Sequence, residues 1–505
     1  MKSRFITLVA VVLVLVISIS VQNYRPDNNR YHQHREAQPY TACEDHGDEK
    51  FCTHLPLFNI VTEGPIPDPY LLYDENGEPV KRDENGNLTF NYETVAVSVE
   101  FFTNEEGNNH LTDTPDVSEK GLIRVRGNSS RRFEKKSYLL KFTEENGIDG
   151  LDVSLDGMTA DNSWVLHGPI LDKTLIRNYM CYNIIGEEME YVPNVRFCEL
   201  FLNGEYQGVY VLTEKIKFNE NGRCDITETD PDLTETSFIL GMGHVSTDPA
   251  HQMDTFFDDS GNRGLFNRSS EHFEILYPDD TLTEAQKEYI VSEISHLERT
   301  LSSYDSTDSK WGYSSYLDVD SFVDFFVFNQ FMMNRDAGHL STYFCKDVRG
   351  KIVIIGWDYN NAFNNFFVEL EETGEIYSLN EWYTCLLRDK RFVDQVIDRY
   401  YELRETVLSD EYLNTYIEET VAYLGPAIDR NYERWGYTFT EEYCAANINS
   451  SLLPIERNPS SYDEAIEQLC DSIKHRGEFL DENIESLYAL CHASANKLYE
   501  YQGDN

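Results

Sequence analysis

The chain is poor in positive charge. Its 505 residues hold 42 Lys and Arg against 89 Asp and Glu, a formal net charge of −47. No basic tail and no RNA-binding aromatic motif offsets that balance, so a nucleic-acid backbone would be repelled and nucleic acid is excluded as a partner. Ten cysteines occur, but without a CxxC pair or a Cys/His cluster of the kind zinc requires. The GxxxxGK[ST] phosphate loop is missing, and no internal repeat is present. Apolar residues are not scarce: 41% of the chain is hydrophobic and 13% aromatic, enough for one large core or two lobes, which argues against disorder for most of it. The acidic surface keeps the molecule soluble and would attract basic peptides.

Residues 5–21, FITLVAVVLVLVISISV behind Lys2 and Arg4, have the pattern of a secretory signal or a retained signal anchor, which puts the rest of the chain outside the cytoplasm, secreted or held at a membrane. Residues 22 to about 40 are polar and read as a flexible stalk, and the Pro-rich stretch from Leu55 to Val80 reads as a connector, with a turn at residues 83–87. Cys43 and Cys52 are the first candidates for a disulfide, whereas Cys198 and Cys345 sit in apolar stretches and read as buried thiols. Four regions follow: 1–21 signal or anchor, 22–90 stalk and connector, 91–435 a folded domain, and 436–505 a helical extension packed on it.

The folded region opens with alternating strand patterns in ETVAVSVEFF, GLIRVRGN and SYLLKF, an antiparallel sheet. The window 122–141 holds seven basic residues (Arg124, Arg126, Arg131, Arg132, Lys135, Lys136, Lys141) against the single acid Glu134. A basic Gly- and Ser-containing turn between strands can hold a triphosphate, or it can be a solvated basic hairpin. DKTLIRNYMCYNII from Asp172 reads as a helix, with Arg177 at the surface or in an interlobe salt bridge. A hairpin follows around Asn203-Gly204, a type I′ turn signal, with Glu214 on its second strand. Residues Asn219 to Gly264 read as a variable insertion, Thr283 to Tyr304 as a helix with a Thr283/Gln286 capping box, and the C-terminal third as helical.

The richest stretch runs from Asn329 to Asn365. An apolar segment leads through the turn NRDAGH into STYFCKD and KIVIIGWD, separated by the turn at residues 347–350. Asp336 and Asp358 therefore stand at the two ends of a predicted hairpin, which brings them together. Paired carboxylates suit phosphoryl transfer, one orienting the acceptor and the other holding a divalent metal. From spacing alone the commoner reading is that Asp336 caps a turn and Asp358 ends a strand.

In this order, RGNSSRRFEKKSYLLKF, LDKTLIRN, LFLNGEYQGVYVLTEKI, NRD and GWDYNNAF resemble the spore-coat-protein-H (CotH) kinase family over roughly residues 92–435. The resemblance implies an α+β chain with an atypical two-lobed protein-kinase-like fold, an antiparallel-sheet N-lobe and a mainly helical C-lobe. It implies ATP and Mg²⁺ or Mn²⁺ as cofactors and Ser/Thr-containing secreted or surface proteins as substrates. Asp336 would be the catalytic aspartate, Asp358 the metal ligand with Asn360 beside it, and Lys135 the ATP-phosphate lysine. Asn128 and Ser129 would lie against the nucleotide, with Lys136, Arg126 and Glu214 as secondary candidates. Asn360 replaces an aspartate of many family members, and Ser341 stands where kinase-like catalytic loops often carry asparagine. A surface adhesin or coat scaffold that keeps the fold without the chemistry is the alternative. A carbohydrate-active enzyme using the same carboxylates would leave the basic turn unexplained.

Overall fold

The computed structural model describes residues 30–492 except 42–50, 76–78, 81, 83–88, 105–106, 219–223, 244–249, 259–271, 367–373, 375, 377–378 and 448–453. The apolar segment 5–21, Cys43 and the turn expected at 83–87 lie outside the described residues.

A one-turn helix, α1 (Gln33–Glu36), precedes seven strands: β1 (Leu57–Thr62), β2 (Val95–Phe102), β3 (Val117–Arg126), β4 (Ser137–Phe142), β5 (Ser163–His167), β6 (Val195–Leu202) and β7 (Glu205–Glu214). They close into a barrel in the order β1-β2-β3-β4-β5-β7-β6, antiparallel throughout except where β1 meets β6 in parallel. Side chains alternate across each strand, so Ile60, Val99, Ile123, Val125, Leu140, Trp164, Leu200 and Leu212 fill the interior. Strands β5 and β7 read as almost continuous apolar runs because their outward residues, Val165, Val209 and Val211, are buried in a second core. Asn203 and Gly204, at φ 52° and 81°, make the I′ turn between β6 and β7.

Helix α2 (Arg177–Glu188) lies on the outer barrel, with Tyr179 stacked on Phe197 at 4.1 Å. A second sheet follows, β8 (Phe238–Gly243), β9 (Gln252–Met253), β10 (His272–Tyr277), β11 (Thr342–Lys346) and β12 (Val353–Ile355), in the order β12-β11-β8-β10-β9. Helix α3 (Glu284–Leu301) starts with the Thr283/Gln286 capping box. Helix α4 (Val319–Phe331) is buried on nearly every side, as its run of Phe and Val demands. The remaining helices are α5 (Glu381–Leu386), α6 (Lys390–Arg404), α7 (Asp410–Leu424), α8 (Pro426–Trp435), α9 (Glu441–Ala446) and α10 (Tyr462–Asn483).

Four expectations need correction. The α+β class holds, but a two-lobed kinase-like arrangement with an antiparallel N-lobe does not: the first sheet is a closed mixed barrel, and one apolar core runs from its outer face (Val165, Phe197, Val211) through Phe326 of α4 to Leu480 of α10. Closure comes from β1, inside the stretch read as a connector; Pro56 sits just before the strand, where no ladder hydrogen bond is lost. Part of the segment read as a variable insertion forms β8, flanked on both sides by β10 and β11.

The fourth correction concerns the stalk. Gln33 accepts from the Phe197 N–H at 2.7 Å and donates to the Phe197 carbonyl at 3.1 Å, completing the backbone pairing of β6 with a side chain. Arg30 donates to Asn183 Oδ1 at 3.0 Å and to the Val192 and Pro193 carbonyls, and His34 meets the Tyr179 hydroxyl at 2.9 Å. Residues 30–37 are thus a strap whose polar side chains find partners in α2, α7 and the barrel. Replacing Gln33 by Ala strands two buried peptide groups of Phe197. Its unfolding free energy in urea should fall by about 1–3 kcal/mol, against the roughly 0.5 kcal/mol or less typical of a solvated tail.

Candidate functional site

The turn after β3 sets the first wall. Gly127 takes φ 104°, which reverses the chain into a short 3₁₀ turn, Ser129–Arg132, and leaves Asn128, Ser129 and Ser130 facing a cavity of about 710 Å³. Strand β3 exposes its outward residues Arg124 and Arg126 to the same space, while Ile123 and Val125 point into the barrel. The opposite wall comes from β8, β10 and β11 of the second sheet.

The loop that carries Asp358 is held from beneath. Asp172, almost wholly buried, accepts from Thr174 N at 3.0 Å, Thr174 Oγ1 at 2.6 Å, Arg177 N at 2.8 Å and Arg177 Nη1 at 2.6 Å. Arg177 is therefore neither a surface nor an interlobe residue; its Nε donates to the Ala362 carbonyl at 3.0 Å. Further along α2, Asn178 Oδ1 accepts from Tyr359 N at 2.7 Å and the Tyr182 hydroxyl accepts from Asp358 N at 2.9 Å. The first two turns of α2 thus hold the loop at three residues, Asp358, Tyr359 and Ala362. Asp358, Phe363 and Asn364 all take positive φ (61°, 53° and 62°), strained conformations that these anchors sustain.

Strands β11 and β12 pair as a hairpin, and Asp336 and Asp358 both line the cavity within electrostatic reach of each other. Asp336 Oδ2 accepts from Asn361 Nδ2 at 2.9 Å. Burial, and next the negative charge of Asp336, push the Asp358 carboxyl up to about 6, while Arg126 opposes the shift. Arg126 lies over the Trp357 ring at 5.6 Å. His167, at the end of β5, also lines the cavity, its imidazole pushed down to about 3 by burial and then by Arg126.

Of the residues singled out in the sequence, Asp336, Asp358, Asn360, Arg126, Asn128 and Ser129 come together here. Lys135, Lys136 and Glu214 do not. Lys135 is buried behind the cavity wall, next to Gly168 but not lining the cavity, donating to Asn431 Oδ1 of α8 at 2.7 Å beside the Tyr210 ring, and burial pushes its ammonium down to about 7. Lys136 donates to the Arg131 carbonyl at 2.6 Å, bracing the turn from within. Glu214 accepts from Asn194 N at 2.8 Å and Nδ2 at 3.2 Å, closing the start of β6. Sequence reasoning passed over His167, Asn361 and the bracing role of Asp172 and Arg177; only the LDKTLIRN motif carried a signal for the last two.

The donor set fits a hard divalent cation. Among the described residues no group of three or more His, Cys, Asp or Glu side chains gathers to hold a metal by itself. Two carboxylates on one cavity, with the amides of Asn360 and Asn361 beside them, suit an ion that takes its remaining ligands from phosphate and water, as Mg²⁺ does. The family model described as CotH kinase protein matches residues 123–480, and no curated protein matches the chain.

A carboxyl that holds its proton in the folded state to about pH 6, against 3.8 ordinarily, has a definite stability signature. Below its ordinary value both states are protonated and no penalty exists. Through the window up to about pH 6 the unfolded chain releases the proton first, stability falls as pH rises, and above it the penalty levels at about 3 kcal/mol. Asp358→Asn should therefore melt above the wild type at pH 8, with the gap closing towards pH 4; a variant melting no higher at pH 8 would contradict the penalty on the buried Asp358 carboxylate.

Proposed function

The chain belongs to the CotH kinase protein family, and we propose that it is an exported protein kinase moving the γ-phosphoryl group of ATP to Ser or Thr of secreted or surface proteins. What supports this most is the convergence of Asp336 and Asp358 on one cavity whose facing strand presents guanidiniums and a Gly-Ser turn. Asp336, oriented by Asn361, would accept a hydrogen bond from the acceptor hydroxyl and take its proton as the new O–P bond forms. Asp358 and Asn360 would hold Mg²⁺ or Mn²⁺, which when bound supplies charge neutralisation on the phosphates. The turn from Gly127 to Ser130 would close over the nucleotide and limit water.

Export is supported by the charged N-terminus and the apolar run at 5–21; among the described residues no helix is long and apolar enough to cross a membrane. The net charge of −47 would raise the local concentration of basic substrates. Asn360 and Ser341, where acids and amides of greater metal affinity are usual in such sites, favour one second reading, a surface scaffold that has kept the fold and lost the chemistry.

Thermal unfolding with ATP and Mn²⁺ or Mg²⁺, separately and together, distinguishes the two. Ligand at about 100 times its dissociation constant adds roughly 2.7 kcal/mol to the folded state. The kinase reading expects a larger rise with ATP and metal together than with either alone, absent in Asp358→Ala. It also expects Asp336→Asn to keep that rise while losing at least ~100-fold in phosphate transfer from labelled ATP to Ser-containing protein. If transfer survives in Asp336→Asn, the assignment of the base is wrong.

A further inference from the structure

Several guanidiniums elsewhere in this acidic chain have carboxylate partners: the buried Arg177 with Asp172 at 2.6 Å, the buried Arg399 with Asp324 at 2.7 Å, and the half-buried Arg430 with Glu199 at 2.7 Å. Arg124, Arg126 and Arg131 differ. All three line the cavity, and among the described residues no carboxylate stands at salt-bridge distance from any of them. Rings and backbone carbonyls hold them instead. Arg126 lies over Trp357, Arg124 over Tyr92 at 5.0 Å and Arg131 over Phe90 at 4.2 Å, with Arg131 also donating to the Pro69 carbonyl at 3.3 Å and to that of Gly127.

The arrangement is electrostatically uncomfortable. Burial, then Arg131 and Arg126, push the Arg124 guanidinium down to about 10. Arg131 spends Nε and Nη1 on carbonyls, whereas Arg124 and Arg126, stacked on rings, keep most of their N–H donors for a ligand, and what complements such neighbouring cations is a multiply charged anion with oxygens spaced for forked hydrogen bonds. Lys135, from which that role was expected, donates to Asn431 and lies outside the cavity.

We infer that Arg124, Arg126 and Arg131 form a metal-independent subsite for the oxygens of an oligophosphate chain, and that Lys135 takes no part in holding it. The subsite rests on the three guanidiniums; only its occupant, the phosphates of a nucleotide, rests on the kinase reading. Asp358 faces Arg126; Tyr92 and Tyr70 face Arg131, and Tyr92 also faces Arg124; Glu199, Cys198 and Arg434 surround Lys135. Guanidiniums stay charged between pH 7 and 9, above the titration of Asp358, so affinity holds over that range. A site built on the Lys135 ammonium would lose affinity across it.

The test is titration calorimetry on the full-length protein in EDTA at pH 7 and 9, with tripolyphosphate, ATP, adenosine and an Asp-rich peptide as probes. Wild type is compared with Arg124→Gln, Arg126→Gln and Lys135→Met, each checked for cooperative unfolding. Tripolyphosphate and ATP should bind without metal, with affinities within about twofold at the two pH values; each Arg variant should weaken them ~10-fold or more, and Lys135→Met should not. Loss of binding in Lys135→Met alone overturns the inference, as does binding only with metal present, an Asp-rich peptide bound as tightly as tripolyphosphate, or no oligophosphate binding by the folded protein. Tripolyphosphate binding that depends on Arg124 and Arg126, with ATP no tighter and no phosphate transfer, keeps the subsite and removes the kinase reading.

Discussion

Asp172 and Arg177 are both almost wholly removed from water, and the geometry around the candidate site is referred to that pair. The carboxylate closes the turn that opens α2, and the guanidinium extends from that turn to the Ala362 carbonyl, so turn, helix and loop share one hydrogen-bonded knot. Removing one member of such a pair costs on the order of 3–5 kcal/mol, because its partner remains as an uncompensated buried charge. Here the loss would also free the loop that keeps Asp358 in a left-handed conformation. Stability and site geometry are therefore not separable at this point in the chain.

A second knot acts behind the cavity wall, where α8 meets the barrel. Asn431 of α8 accepts from Val209 N at 3.1 Å and from Lys135 Nζ at 2.7 Å, and the Trp435 indole donates to the Gln207 carbonyl at 2.8 Å. A C-terminal helix thus satisfies the backbone of β7 next to Gly208, whose φ of 96° accompanies the register shift between β6 and β7. Lys135 is committed to that joint. The positive charge available to the cavity is left to β3 and the turn after it.

What could be read in advance was whatever local chemistry decides. Strand β4 begins and ends with SYLLKF, the Asn203-Gly204 turn and the Thr283/Gln286 box stand where their residue types require, and the hairpin brings Asp336 and Asp358 to one cavity. What escaped was decided by distant partners. Strand β1 carries an ordinary pattern among prolines, and its place is set by β6; β8 lies in polar surroundings, and its apolar face is covered by helices far along the chain. The direction of Lys135 depends on Asn431, which no local pattern announces. Likewise the strap has a loop-like composition and is ordered only because Phe197 offers Gln33 a matching pair of peptide groups.

The strap and β1 also constrain the order of events during folding. Gln33 meets a partner 164 residues away and His32 one 384 residues away, while β1 must wait for β6 before the barrel can close. Contacts of such long range are slow to form. In a chain that emerges from its N-terminus, the first described residues are consequently the last to find their places. Until α7 has been made, the strap has only part of its seat, and until β6 has been made, the edge of β1 that pairs with it is open to pairing with other chains. Nascent molecules would be most prone to aggregation in that interval.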